Sequence, residues 1–498
     1  MSVSGIGGQS GLAIQQLINM RAQFDDLQRQ LSTGQKSATY SGLGLDRGIT
    51  VSLNAQLSAI GGYDNTITNV MTRINLMNTA LGRMSDLGSE VKAAMVQSNN
   101  TGNSSGVGIA QQTAQSSLDE LLGLLNVQAG DRYLFSGRAT DQPPVETMDH
   151  ILNGNGALAG LKQLISERNQ ADLGADGLGR LVINQPTVDS VQVVEDAVPF
   201  GLKLSSLSSN LTNATTIGPA GGALSIDLSG GNPNAGDTVT LRFTLPDGTS
   251  DTLTLTATTR SPPGANQFTI EATPDLTATN LLNAVKAGVT KIGATSLTAA
   301  SAIKASGDFF NADVNNPPLR VDGPPFDTAT GTIPGTTANT VIWYTGELGT
   351  DPARSTATAR IDQSLMVSYG ARANEEALRN LLQNIATRAA VTVPSTNPNA
   401  PGSNAALNQR LAGNLSGGVG IQSVTDIETD LAAAQTSLDA AKTRHQQTST
   451  TLNDFLQQIV GVSNESVGAQ ILTLQTRMQA SMQTTAMLFQ TSLVNYLR

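Results

Sequence analysis

Cysteine is absent from these 498 residues, which excludes disulfides, thiolate metal sites and thiol nucleophiles together. Aromatic residues make up only 3%, and Trp343 is the single tryptophan. The interior must therefore be built from Leu, Ile, Val, Ala and Met, not from the large rings on which enzyme cores usually lean. Charged residues are scarce at 14%, so the polar balance comes from Ser, Thr, Asn, Gln and Gly, an uncharged hydrogen-bonding surface suited to close self-contact. The formal charge is -10, and no Lys/Arg cluster is long enough to neutralise a row of phosphates. Nucleic acid is therefore not an expected partner, and an anionic membrane surface is disfavoured for the same reason. No stretch approaches the roughly 20 apolar residues of a membrane span, so no membrane insertion is expected. The opening stretch Met1–Arg21 lacks the basic start and continuous apolar run of a Sec-type signal.

The side chains that carry chemistry are equally sparse. The only histidines are His150 and His445, and neither has another His, Cys or paired carboxylate at ligand spacing. His445 falls on an apolar seam, where a polar residue that sets register is the better reading than a ligand or base. His150 follows the Pro143-Pro144 turn and reads as a surface residue. Asp119-Glu120 and Glu375-Glu376 are adjacent pairs on helices, where neighbours point to different faces, and both read as solvated. The Gly-rich stretches at 5–11, 42–48 and 174–179 lack the Lys-Ser/Thr ending of a phosphate loop. Met478, Met482 and Met487 recur with Leu and Phe at helical spacing, which favours adaptable packing over a soft metal site. No catalytic residue, metal or cofactor is expected, and the chain does not read as an enzyme.

What is present is a heptad pattern at both ends. Ala13, Leu17, Met20, Phe24, Leu27 and Leu31 alternate at spacings of four and three, a coiled-coil seam. After a break at Ser32-Thr33-Gly34 and a Gly-rich loop, the seam resumes through Ile60, Tyr63, Ile67, Val70, Ile74, Met77, Leu81, Met84 and Val91, with Gly88 its one weak position. A helix over about 109–129 carries Ala114, Leu118, Leu121 and Leu125 on one face, and the Ser/Asn/Gly turn before it predicts an antiparallel pair. Near the other end the seam runs Val424, Ile427, Leu431, Ala434, Leu438, Ala441, His445, Thr448, Leu452, Phe455 and Ile459. After a break at 461–464 comes a last helix with Val467, Ile471, Leu474, Met478, Met482, Phe489, Leu493 and Leu497.

The middle has period two. Val239, Leu241, Phe243 and Leu245 alternate with polar residues, Pro246-Asp247-Gly248 makes a turn, and Leu253 and Leu255 resume the alternation, a hairpin signal. Further strands are expected at Ala223–Leu228 and Phe268–Ile270, and a short helix around Leu281, Leu282, Val285 and Val289. A second β segment covers Thr340–Tyr344 and Arg360–Tyr369, followed by a helix through Leu378–Ile385 and a Pro/Ser/Asn-rich loop over Val393–Asn404. The fold class is thus mainly α: an antiparallel helical bundle of N- and C-terminal segments, with a β-hairpin region and an inserted β-rich domain. The expected division is 1–48 with 461–498 as terminal assembly helices, 49–200 with 311–460 as the bundle, and 201–310 as the insert.

Three segments carry a resemblance. Leu27–Lys36, LQRQLSTGQK, resembles the flagellin-superfamily segment in which the first helix ends in Leu-Ser-(Ser/Thr)-Gly. Val462–Leu472, VSNESVGAQIL, resembles that family's Val-Ser-Asn … Ala-Gln-Ile-Leu element before the terminal helix. Gly130–Gly137, GDRYLFSG, followed by Pro143-Pro144, is similar to an element of the hook–filament junction branch of the superfamily (hook-associated, L-type). Filament flagellins carry an Asp-Asp-Ala-Ala-Gly run where this chain has Leu43-Gly44-Leu45-Asp46-Arg47.

The resemblance covers about 1–200 and 311–498. It implies an extracellular, non-enzymatic subunit of the bacterial flagellum at the distal end of the hook, exported unfolded through the flagellar type III channel without a cleaved signal. It further implies partners among the flagellar axial proteins (a hook-associated junction protein and flagellin), self-association in a ring, and an export chaperone. The assembly interface expected on this reading comprises Leu17, Met20, Phe24, Leu27 and Leu31 with Ile471, Leu474, Met478, Met482, Phe489, Leu493 and Leu497. Major filament flagellin is the alternative within the superfamily. An adhesin or glycan-binding surface on the insert is the alternative of another class.

Overall fold

The computed structural model describes residues 4–101, 104–394, 396–418 and 420–496, with side chains over 11–99, 108–394, 396–418, 420–487 and at 490. The helices are α1 (Ser4–Thr33), α2 (Arg47–Thr101), α3 (Ser104–Leu125), α4 (Met148–Asn153), α5 (Leu161–Leu173), α6 (Pro274–Ile292), α7 (Thr298–Phe310), α8 (Glu376–Ala390), α9 (Ala400–Asn414), α10 (Val424–Val460) and α11 (Asn464–Tyr496). With 54% of the chain helical and small antiparallel sheets in an inserted region, the mainly-α reading with a β insert holds. The chain folds into two compact units. One holds the chain up to Met71, the segment Ala359–Val367 and the chain from Gln435 onward; the other holds Thr72–Thr358 and Ser368–Ala434.

In the first unit, the α10 seam buries Leu438, Ala441 and Leu452, and the α2 seam buries Ile67 and Val70. The heptad register drifts beyond His445: Thr448 and Phe455 are exposed, and Ser449 and Leu456 take the inward positions. A straight helix has 3.6 residues per turn, so a strict 3.5-residue spacing rotates off the seam unless the helices supercoil. α1 packs against α11, which answers the sequence-level pairing of the two ends.

The second unit holds the rest of α2, whose Ile74, Met77, Leu81, Met84, Leu87, Val91 and Met95 are buried at 1% exposure or less. Gly88, the weak seam position, is a contact: a methyl group there would lie 2.7 Å from Cδ1 of Leu381 on α8. Arg83 on α2 clamps Glu120 on α3 through Nε and Nη2 at 2.6 and 2.9 Å, consistent with the expected antiparallel pair. α3 also packs on α8, where Gln111 Nε2 donates to Ala389 O at 3.2 Å. α3 stops at Leu125, four residues short of its expected end, because the chain turns there into the short strands Gln128–Ala129 and Arg132–Tyr133.

The β region contains two four-stranded sheets. One has the spatial order Leu181–Asn184, Ser190–Glu195, Ala223–Asp227, Thr215–Ala220, and the other Gln267–Thr269, Ser250–Thr258, Thr238–Thr244, Lys203–Ser209. The expected hairpin is present, with Leu241 opposite Leu253 and Leu245 N–H donating to Thr249 O at 2.8 Å across the turn. Val191, Val193, Leu224, Ile226, Leu241, Phe243, Leu255 and Phe268 form one core with Leu281, Val285 and Val289 of α6. Two strands of the first sheet, Leu181–Asn184 and Ser190–Glu195, precede residue 201, and α7 packs on α5 and α8.

Two sequence readings are corrected. Ala400–Asn404 is not loop but the first turn of α9, with Pro401 in the N-terminal positions where its missing N–H costs nothing. Glu375 is not solvated: its side chain is 7% exposed and is held by the guanidinium of Arg354 at 2.5 Å.

Candidate assembly surface

The N-terminal Leu-Ser-Thr-Gly and the C-terminal Val-Ser-Asn segments meet. Gly34 ends α1 with φ +67°, a backbone that glycine adopts without penalty. Lys36 N–H donates to Val460 O at 2.8 Å, and Val462 N–H donates to Gly34 O at 3.0 Å, so Gln35 and Gly461 form an antiparallel bridge. The Lys36 ammonium reaches Ile459 O at 2.7 Å, placing a cation on the negative end of α10. Ser463 starts α11: its Oγ accepts from Ser466 N–H at 3.2 Å, with Glu465 in the first turn. α1 therefore ends where α11 begins, and the two run antiparallel from this clasp.

The expected interface residues divide by geometry. Leu17, Met20, Phe24 and Leu27 are half-buried on α1; Leu474 is buried and Ile471 and Met478 are half-buried on α11. These form the seam between the two helices. Leu31 and Met482 face outward at 43% and 50% exposure. The side chains of Phe489 and Leu493, and residue Leu497, lie outside the described residues. A second apolar set, which the heptad count passes over, is exposed: Leu12, Ile14 and Ile18 on α1, Leu472 and Met487 on α11, and Leu45 in the loop after the clasp.

The Gly130–Gly137 element has a different task, within the second unit. Phe135 is fully buried, Ala373 N–H donates to Phe135 O at 2.7 Å, Gly137 N–H to Ala371 O at 3.1 Å, and Glu347 N–H to Ser136 O at 3.0 Å. The carboxylate of Glu347 accepts from Arg138 N–H and Nη1, both at 2.6 Å. Arg372 donates to Gly349 O and Asp351 O at 2.8 and 2.7 Å. Three segments far apart in sequence are thus joined into one strap. Pro143-Pro144 extends it, since Thr345 N–H donates to Pro144 O at 2.9 Å. Beside it, Trp343 is buried against Phe310 and Tyr344 and donates its indole N–H to Phe310 O at 3.0 Å. Burial raises the Tyr344 phenol above its ordinary value.

The histidines lie where the sequence puts them, His150 half-exposed beside Glu146 at 3.0 Å and His445 on the α10 seam. Paired carboxylates face His445 nonetheless, Asp64 at 2.7 Å and Asp362 at 3.8 Å. Asp64 is 381 residues away along the chain and Asp362 lies in a separate segment, beyond any spacing rule. Among the described residues, no helix is long and apolar enough to cross a membrane.

Residues 10–140 match the family model described as the bacterial flagellin N-terminal helical region. The stretch runs from within α1 through α2 and α3 to just past the Gly130–Gly137 strap. This match supports the flagellin superfamily. More narrowly, it supports a structural subunit of the extracellular bacterial flagellum, in a family that self-assembles with other axial proteins. No match was found among curated proteins.

Proposed function

We propose that this chain is the junction subunit between hook and filament, assembling in a ring at the distal end of the hook through its terminal helices. One observation carries the reading. The α1–α11 pair shields its seam from one side only, leaving Leu17, Met20, Phe24 and Leu27 half-exposed and Leu12, Ile14, Ile18 and Leu472 open. Two isolated helices with a single seam are marginal, because most helical stability comes from tertiary burial. Docking of neighbouring copies supplies that burial, so the pair completes its order on assembly. A heterologous contact of this kind, one face of a subunit against a different face of the next, generates a ring or helix. Export in an unfolded state through the type III channel, with a chaperone covering the apolar ends, follows from the same reading. Hook-associated proteins and flagellin are then the axial neighbours.

The choice of junction over filament rests on the likeness of Gly130–Gly137 to the junction element and on the Leu43–Arg47 sequence. Immunogold labelling of detached flagella tests it. One band at the hook tip is the expected result, and uniform decoration of the filament would assign the chain to filament flagellin.

A further inference from the structure

Asparagine followed by glycine occurs at two places in the chain, Asn153-Gly154 and Asn155-Gly156. Glycine has no Cβ, so its backbone nitrogen approaches the preceding carboxamide without hindrance. By sequence the two pairs are equivalent. Their surroundings differ.

Asn153 is the last residue of α4, and its carboxamide is held at both ends. Nδ2 donates to Asp149 Oδ1 at 2.6 Å, and Oδ1 accepts from Lys162 Nζ on α5 at 2.8 Å. Gly154 N–H donates to His150 O, closing the helix. The space around Gly154 is filled, since a methyl group there would run into Leu158 O. Asn155 is exposed, and its carboxamide has no hydrogen-bond partner among the described residues. It pairs with Leu158 across the two-residue turn Gly156-Ala157. Gly156 takes φ +60°, the left-handed backbone of the first central residue in a II′ turn. Among the described residues, a methyl group there would meet nothing within 4 Å.

We propose that Asn155 is a site of spontaneous covalent modification, converted to a mixture of isoaspartate and aspartate, while the fold protects Asn153. The nitrogen of Gly156 gives its proton to solvent and attacks Cγ of Asn155. The new N–Cγ bond closes a cyclic imide, and the Cγ–Nδ2 bond breaks as ammonia leaves with a proton returned from water. One water then opens the ring. Opening at Cγ leaves aspartate, and opening at the main-chain carbonyl leaves isoaspartate, whose backbone is longer by one methylene. Either product puts a carboxylate at the turn. At Asn153 the same attack must first break the contacts to Asp149 and Lys162, both charge-assisted. The cost of one such bond alone slows the reaction about tenfold.

The test holds the folded full chain at mildly alkaline pH and follows the tryptic peptide Ala139–Lys162, which carries both asparagines. Mass spectrometry with fragmentation localises the exchange of NH2 for OH. Modification at Asn155 should run about tenfold faster than at Asn153, or more. In urea, where neither the turn nor the α4 contacts persist, the two rates should converge. Asp149→Ala with Lys162→Met frees the Asn153 carboxamide and should raise its rate in the folded chain, and Gly156→Ala should suppress reaction at Asn155. Equal rates at the two sites in the folded chain, reaction at Asn155 only after unfolding, or a ratio that persists in urea overturns the proposal.

Discussion

Oδ2 of Asp247, at the turn of the Thr238–Thr258 hairpin, lies 3.2 Å from Nε of Arg410 on α9, and its side chain is 3% exposed. The tip of the β region is thus fixed to a helix by an ion pair that water scarcely reaches. Removing one partner strands the other charge, so Asp247→Ala is predicted to cost about 3 kcal/mol. Replacing both, Asp247→Ala with Arg410→Met, should recover part of the loss. Denaturant unfolding of the single and double variants measures the difference, and a single variant within about 0.5 kcal/mol of wild type would show that the pair carries no stability.

Gly137 has φ +66°, and a methyl group there would lie 2.4 Å from Oε2 of Glu347 and 2.9 Å from its Cβ. Backbone strain and displacement of the carboxylate that holds Arg138 act together. Gly137→Ala should destabilise the second unit by about 2–3 kcal/mol. Its effect is read by thermal unfolding with Trp343 fluorescence, since Trp343 and Tyr344 lead directly into Glu347. An unchanged midpoint would mean that the strap tolerates a side chain at this point.

The boundaries of the insert can be tested by excision. Replacing 202–309 with a Gly/Ser linker removes Phe309, and it removes almost all of α7, which packs on α5. Replacing 175–297 instead spares α7 and takes out both four-stranded sheets whole. α5 packs on α7 and on the Gly293–Leu297 turn that leads into it, so a short linker is expected to span the gap. We expect the first deletion to lose cooperative unfolding and shift Trp343 emission to the red, and the second to keep helical circular dichroism. Equal behaviour of the two would place the boundary elsewhere.

Leu472 and Leu474 separate assembly from folding. Leu472 is 66% exposed and Leu474 is 7% exposed on the same helix. Leu472→Asp should leave stability within about 0.5 kcal/mol, allow export, and give short or missing filaments above intact hooks. Leu474→Asp puts a charge in the α1–α11 seam, costs several kcal/mol, and should make both helices sensitive to protease in the monomer. Normal filaments with Leu472→Asp present at the hook tip would remove this face from the assembly contact.

Much of this architecture was legible because coiled-coil seams are local: Ile67 to Val91 and Ile427 to Ala441 announce their buried faces by spacing alone. The β hairpin at Thr238–Thr258 was legible for the same reason, with a period of two and a Pro-Asp-Gly turn. The strands at Leu181–Asn184 and Ser190–Glu195 pair with each other, but they are only four and six residues long, so a window of sequence contains too little alternation to mark them. α9 was hidden by Pro401, Gly402, Ser403 and Asn404, which signal a loop by composition but are tolerated in a first helical turn.

The sequence by itself determined the long seam helices, the facing of their seams and the pairing of the two ends, because apolar spacing dictates which side of a helix avoids water. Tertiary structure alone decided the rest. It buried Glu375 against Arg354, closed the strap around Gly137, and brought Asp64 and Asp362 to the two nitrogens of His445. Each of these depends on distances between residues from separate elements, most of them far apart along the chain. Such distances leave no trace in local periodicity and exist only once the chain has packed.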